Sequence, residues 1–444
     1  MPMTKKVPRK IYFFLFSFLV IIFLLFLLLK SYYHSKSKEE VVPEVNNLPN
    51  YLVIYQDEAS TYLTDTTNNI YKYDNLDLTL GQTYKIKFND DSQANITEIT
   101  RTDAEFNLDS LFSKYTSKAE EIVVKMSLEE VIGQLLLVHY DQATVNDLNK
   151  YYFGGFVLFA DAFKDKSKEA VIKMTSTLQT QANIPLLLAV DEEGGSVVRV
   201  SSNKALSAEK FLSPRNLYQK GGMELILADN KTKNTLLASL GLNINLAPVL
   251  DISTNNKDYI YSRSIGLSPE ETGYFAKAVI ESSQGSAISN VLKHFPGYGA
   301  NLDTHKNTSI DNRSLDDIKT GLIPFQMGID AGTEAIMVCH NVVTAFDSEN
   351  PASISLNIHN YLHQDMAFQG IIMTDDLSMS ATKSIKNIGV QALLAGNNIL
   401  IVKDYVKITK EIILAINKGH LSERYIRELA IKNISWKMYK GLIN

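Results

Sequence analysis

The 444-residue sequence has one cysteine, Cys339. It therefore has no intrachain disulfide and no cysteine-based zinc site, a usage that by itself suggests the cytosol. Basic charge is not in surplus either, and a net charge of −5 gives no reason to expect nucleic acid. No Gly-x-Gly-x-x-Gly follows the first strand of the α/β pattern described below, so the usual mark of a dinucleotide-binding open sheet is missing. Small residues in a small-x-small arrangement are absent after the apolar N-terminal run, where Leu27-Leu28-Leu29-Lys30-Ser31-Tyr32-Tyr33 is bulky. That disfavours signal-peptide cleavage, and the lack of a cysteine there excludes lipid attachment.

What is present at the N-terminus points away from the cytosol. Residues 11–29 are apolar apart from Ser17. As a helix they would reach roughly 29 Å, enough to cross a bilayer core. Lys5, Lys6, Arg9 and Lys10 precede them and no acid does, which predicts a cytoplasmic tail over 1–10 and an exported remainder. A retained single-span anchor is the first reading and a cleaved signal peptide the alternative. Residues 30–50 are polar, with Pro43 and Pro49, and read as a linker. Asn-x-Ser/Thr sequons at Asn307 and Asn312 fall beside the loop singled out below, where glycans would crowd a site; this weakly disfavours a eukaryotic secretory host.

Residues 51–105 read as a small all-β module. Five short runs, from Tyr51–Tyr55 to Ile96–Thr100, are separated by Asn, Asp and Gly. A small β-barrel or sandwich fits. Its tyrosines are either strand formers on a half-buried sheet or a carbohydrate-stacking face. Residues 106–444 read as one large α/β domain. Apolar runs ending in a polar residue occur at Leu135–His139, Gly155–Phe159, Pro185–Asp191 and Ile244–Asp251. They recur at Asn290–His294, Ala335–His340, Ile371–Asp375 and Ile399–Val402. Amphipathic segments such as Lys168–Gln181 and Pro269–Gly285 separate them. Strand–helix alternation implies a parallel sheet, and eight such units predict a (β/α)8 TIM barrel. An open doubly wound sheet is the main alternative.

In a barrel the site lies at the C-terminal strand ends. Asp191, Asp251, Lys293, His294, His340 and Asp375 all fall there. The stretch Lys293-His294-Phe295-Pro296-Gly297-Tyr298-Gly299 ends a buried strand and turns into a glycine-hinged loop carrying Asp303-Thr304-His305. Such a loop is a poor way to build a core and a plausible way to deliver a proton donor.

These motifs, in their order along the chain, resemble glycoside hydrolase family 3, and within it the β-N-acetylglucosaminidase branch. The likeness is carried by Ala189-Val190-Asp191-Glu192-Glu193-Gly194-Gly195, Lys293-His294-Phe295-Pro296-Gly297, Asp303-Thr304-His305 and Thr374-Asp375-Asp376-Leu377-Ser378-Met379. It runs from about Lys118 to the C-terminus and leaves residues 1–105 outside. The resemblance implies Asp375 as nucleophile, with Asp376 the rival by adjacency, expected to point elsewhere because strand side chains alternate. It implies His305 as general acid/base with Asp303 as its orienting partner, and Asp191, Arg263, Lys293 and His294 as sugar-binding residues. His340 either lines the site or packs behind it. Asn398 stands where the resemblance leads one to expect an aspartate.

A histidine can do the work usually given to a second carboxyl group. It titrates near neutrality, so it can protonate a leaving oxygen and later deprotonate water. Family 3 β-glucosidases draw their acid/base glutamate from a second domain after the barrel; here only a short helical stretch follows the eighth strand, so the loop histidine is expected to serve. The expected activity is retaining, exo-acting release of terminal GlcNAc from peptidoglycan fragments or related glycans by a β-N-acetylhexosaminidase facing the cell exterior. Its partners would be the carbohydrate substrate and, through residues 11–29, the membrane. No cofactor and no metal is implied. Phosphorolysis is the alternative within enzymes, because a histidine acid/base avoids a fixed anion near incoming phosphate. A non-catalytic wall-glycan binding protein on the same fold is the less favoured third reading.

Overall fold

In the computed structural model the described residues are 48–88, 96–299 and 309–443. The anchor expected over 11–29, its tail and most of the linker lie outside them, as do Asp303 and His305. Among the described residues no helix is long and apolar enough to cross a membrane.

Each short apolar run of the large domain forms a strand. Apart from the separate short pair β11 (Ile310–Asp311) and β13 (Val342–Val343), they are β6 (Leu136–His139), β7 (Gly155–Leu158), β8 (Leu187–Val190), β9 (Ile244–Asn245), β10 (Ser289–Phe295), β12 (Ala335–Val338), β14 (Ile371–Thr374) and β15 (Leu400–Val402). All pairings among them are parallel, in sequential order around the sheet. A parallel bridge between Met373 and Ile399 joins the two ends, so the sheet closes as expected. The period-two alternation divides each strand between two cores. Leu137, Val157, Ala189, Val291, Met337 and Met373 fill the barrel interior. Leu136, Val138, Phe156 and Leu188 face the surrounding helices. At the base, Trp436 stacks on Phe112, with ring centroids 6.3 Å apart, and its indole N–H donates to Glu334 at 2.7 Å.

Strand β9 is much shorter than the apolar run Ile244–Asp251 predicted. Pro248 has no N–H to give a ladder. Pairing resumes only as a single bridge between Val249 and Lys293. The strand β10 beside it is the longest of the barrel strands, and all of its residues are buried.

The N-terminal module is one five-stranded antiparallel sheet, not the barrel or two-sheet sandwich expected. Its strands are β1 (Asn50–Gln56), β2 (Ser60–Thr64), β3 (Ile70–Asp74), β4 (Thr83–Phe88) and β5 (Ile96–Thr102), in the order β3-β2-β1-β4-β5. The reason lies in β1, which is apolar on both faces. Tyr51 and Val53 join Leu63, Tyr84 and Ile86 in the module's own core, while Leu52 and Ile54 join the core of the large domain. The barrel's helices thus act as the second layer. The tyrosines pack among themselves: Tyr51 lies edge-on to Tyr71 and Phe88, and Tyr73 stacks on Phe88. The module docks at the base. Asn68 donates to the Gly396 carbonyl just before β15, Ser422 N–H bonds Ile54, and Asn360 brackets the Ile70 backbone.

Candidate active site

At the opposite, C-terminal end of the strands a recess of about 650 Å3 opens. Asp191 follows β8, Lys293 and His294 end β10, and Asp375 follows β14. All four line it, with Arg263, Glu193 and Arg199 from intervening loops. The sequence placed the first five of these residues in one site, and the fold brings them together. Strand ends suit the task because β-ladder hydrogen bonds fix the backbone on one side only. Asp375 N–H still bonds the Val338 carbonyl at 2.8 Å, while its side chain borders the recess.

The floor is a buried ion network centred on Glu193, which is only 3% exposed. Its Oε1 lies 2.6 Å from Lys293 Nζ and 2.7 Å from Arg263 Nη2, and Arg263 Nε donates to Oε2 at 2.9 Å. Lys293 also donates to Asp191 Oδ1 at 2.6 Å. Burial alone would push the Glu193 carboxyl up, but Arg263 and Lys293 outweigh it and hold the group below its ordinary range. Burial likewise works against charge on Lys293, and Asp191 with Glu193 more than compensates, so its pKa is raised. Arg263 is raised for the same reason, through Glu193. Glu193, Lys293 and Arg263 are therefore held in their charged forms.

The geometry also assigns a tautomer. Arginine can only donate. Its Nη2 lies 3.0 Å from His294 Nε2, which must accept. The ring hydrogen then sits on Nδ1, which donates to Asp251 Oδ2 at 2.7 Å. The other Asp251 oxygen accepts from Tyr298 N–H at 2.6 Å, gripping the turn that starts the loop. In that turn Gly297 and Gly299 have φ of 111° and 59°, the left-handed region that favours glycine. Gly299 is doubly constrained, since a Cβ there would meet Arg313 at 2.9 Å. Arg313 is itself clamped on Asp311 at 2.6 Å. It reaches the Gly297 carbonyl, tying together the two flanks of residues 300–308.

Asp376 departs from expectation. The strand ends at Thr374, so alternation no longer governs the next two residues, and both carboxylates border the recess. Asp376 is taken up by His139 at 2.9 Å, and its N–H donates to Asp375 Oδ1 at 2.8 Å. Burial pushes the Asp376 carboxyl up, but the His139 contact and the bonds from Ser378 outweigh it and lower the pKa. His340 does not line the recess. It is fully buried, with Nδ1 on Ser353 and Nε2 on the Asp376 carbonyl, and so braces that loop from behind. Asn398 does the backbone work of the expected aspartate, accepting from Ile372 N–H at 2.8 Å.

Glu193, Arg199, Tyr259 and His139 belong to the site without having been singled out in the sequence. Glu193 stood inside a quoted motif, but three consecutive acids give no sign of which one turns inward. Glu192 turns the other way and caps the backbone N–H groups of Arg199 and Val200. Chemically, the recess offers a carboxylate and an ammonium side by side at Asp191 and Lys293. The Asp191 Oδ2 and the third Lys293 N–H form no hydrogen bond among the described residues. Such a pair suits the vicinal hydroxyls of a sugar ring. Among the described residues no cluster of His, Cys, Asp or Glu is arranged to hold a metal ion.

Comparison with known proteins agrees with this geometry. Beta-hexosaminidases from Nitrosomonas eutropha and Stenotrophomonas maltophilia are 32% and 33% identical over 263 and 237 residues. These alignments cover 56% and 52% of this chain and 73% and 69% of theirs. A solved family 3 β-N-acetylglucosaminidase from Paenibacillus sp. str. FPU-7 superposes with a TM-score of 0.65 at 25% identity. The match covers 71% of this chain and 63% of that one, less than two thirds of its length. A β-glucoside phosphorylase shares the fold, with a TM-score of 0.66 at 21% identity. The family description "Glycosyl hydrolase family 3 N terminal domain" matches residues 127–434, from the cap of helix Leu128–Gly133 into the last helix. With that match spanning every strand of the barrel and every described residue of the recess, the chain belongs to glycosyl hydrolase family 3.

Proposed function

We propose that this protein is a retaining exo-β-N-acetylglucosaminidase that releases terminal GlcNAc from peptidoglycan fragments or related glycans. Asp375 is the nucleophile, attacking the anomeric carbon to form a glycosyl ester that water then hydrolyses. His305 protonates the leaving oxygen in the first step and deprotonates water in the second, with Asp303 orienting its ring. Asp191, Lys293, Arg263 and His294 hold the sugar. One observation carries the reading: Asp375 borders the same recess as an ionised, buried hydroxyl-binding network. The beta-hexosaminidase relatives support the sugar assignment.

The decisive experiment follows a chromophoric leaving group from a GlcNAc β-glycoside. Asp375→Asn lowers turnover by at least about 10³-fold, and full retention of activity refutes the assignment. Asp303→Ala and His305→Ala each slow the reaction by about 10²–10⁴-fold. Product analysis in phosphate buffer separates hydrolysis from phosphorolysis, with GlcNAc 1-phosphate marking the latter. The apolar run 11–29 behind four basic residues supports a retained anchor that places the enzyme outside the cell membrane. N-terminal sequencing of the membrane fraction tests that placement.

A further inference from the structure

Helix Pro214–Ser239 follows the long loop after β8 and carries one buried lysine, Lys233, which reaches back to that loop. Lys233 Nζ donates to the Glu193 backbone carbonyl at 3.2 Å and pairs with Asp229 Oδ2 at 3.2 Å. It also lies 5.2 Å from the centre of the Phe211 ring, and the Phe211 carbonyl accepts from Gly195 N–H at 2.8 Å. One side chain thus touches both limbs of the loop that carries Glu193.

The surroundings do not favour an amine. Behind Glu193 a cavity of about 420 Å3 is walled in large part by Pro214, Leu217, Ile226, Phe275 and Val279. Taking a cation and an anion out of water costs about as much as their attraction returns, and an aliphatic pair would fit such a place at least as well. What the amine gains besides Asp229 is the Glu193 carbonyl, which accepts no other hydrogen bond among the described residues. The peptides on either side of the Glu193 Cα are then both held. Asn245 donates to the Glu192 carbonyl at 3.4 Å, and Glu193 N–H bonds the Val197 carbonyl at 3.0 Å. Lys233 takes the Glu193 carbonyl, and Gly194 N–H bonds the Val197 carbonyl at 3.1 Å. Gly194 itself has φ of 104° and no room for a Cβ, which would meet the Leu212 carbonyl at 2.1 Å. Fixing both peptide planes fixes the direction of the Cα–Cβ bond between them, here toward Lys293 and Arg263.

We propose that Lys233, paired with Asp229, is a positioning residue for sugar binding. By holding the Glu193 carbonyl it aims the Glu193 carboxylate into the ion network, and so sets where Lys293 and Arg263 present their N–H groups to the recess. The inference rests on the glycosidase reading above and adds to it a residue that does not line the recess. Asp375 takes its backbone support separately, from the Val338 carbonyl. The effect therefore falls on binding shared by substrate and transition state, which appears in KM and not in kcat.

The test sets Lys233→Met/Asp229→Asn beside Asp229→Asn alone. The double variant removes the amine together with its counter-charge, so neither is left buried without the other, and its thermal midpoint stays near that of wild type. The single variant keeps the bond to Glu193 but strands the amine, so it lowers the midpoint. On a chromophoric GlcNAc β-glycoside the double variant raises KM about ten-fold with kcat within about two-fold, while Asp229→Asn leaves KM within about two-fold. Stability and KM thus move in different variants, which a merely structural lysine would not produce. An unchanged KM in the double variant, or an equal rise in both variants, overturns the proposal. A crystal structure of the double variant reads the positioning directly: the Glu193 carboxylate leaves hydrogen-bond distance of Lys293 or Arg263, and an unmoved carboxylate overturns the proposal. If wild type turns over no GlcNAc glycoside, the glycosidase reading fails, and that crystal structure still decides what Lys233 does.

Discussion

At the mouth of the barrel, Glu193, Arg263 and Lys293 are removed from water and joined through Glu193, with the partly buried Asp191 paired to Lys293. At its base, helix Glu423–Tyr439 buries Glu428, Lys432 and Lys437 without an ion pair among the described residues. The responses are opposite. Glu193, Arg263 and Lys293 are driven further into their charged forms. At the base, burial pushes the Glu428 carboxyl up to about 8 and brings the Lys432 and Lys437 ammonium groups down to about 8 and about 7. His363, under the N-terminal module, falls to about 3 by burial and the nearby Lys432. The same desolvation acts at both ends, and only the mouth supplies compensating partners. Permanent charge is therefore concentrated where a polar substrate can use it.

The sharpest way to break this contrast is to remove the hub. Glu193→Ala leaves Arg263 buried without its carboxylate partner and Lys293 with Asp191 alone, and should cost about 3–5 kcal/mol of stability together with most of the activity. Chemical denaturation measures the first, and a variant as stable as wild type would show the network to be dispensable. The pH dependence has a definite sign. The folded pKa of Glu193 lies below its ordinary 4.5, so its contribution is fully present above that value and is lost as pH falls through the folded pKa.

The base should respond the other way. Lys437→Met removes a buried amine whose one hydrogen-bond partner among the described residues is Gln134 Oε1 at 2.7 Å, and should stabilise by about 1–3 kcal/mol at pH 7. With a folded pKa of about 7 against an ordinary 10.5, the unfolded chain binds the extra proton between these values. Wild-type stability from this group rises with pH across that window. The gain of the variant is thus largest at or below pH 7 and shrinks toward pH 10; a gain that grew with pH would contradict the placement of Lys437.

The smallest effect concerns the wall between the two carboxylates. His139→Gln replaces the ring that contacts Asp376 with an amide that can still donate to it, and should lower kcat by about ten-fold or less with KM little changed. A wild-type thermal midpoint alongside the lowered kcat distinguishes this from simple misfolding, whereas an unchanged kcat would leave His139 a packing residue.

Much of the barrel was legible because each strand is a short apolar run with a polar residue at its end, as at Ile371–Asp375. That pattern places chemistry and topology in the same few residues, so Asp191, Lys293, His294 and Asp375 could be assembled from the chain alone. What escaped depends on direction. Glu193 and Glu192 are neighbours of the same type, and only the backbone after β8 sends one to the ion network and the other to a loop. Asp376 was misplaced because the strand stops one residue before Asp375. The second layer of the N-terminal module was illegible for a further reason: β1 is apolar on both faces, and nothing in its sequence says that one face belongs to another domain.

The docking of that module at the strands' N-terminal face also bears on how a tethered form of the protein would stand. A tether acting through the chain before Asn50 would pull on the base, leaving the whole height of the barrel between the point of attachment and the recess. The enzyme would then stand on its support with the mouth turned outward. A glycan from the surroundings could then reach the recess, whereas one lying against the support could not.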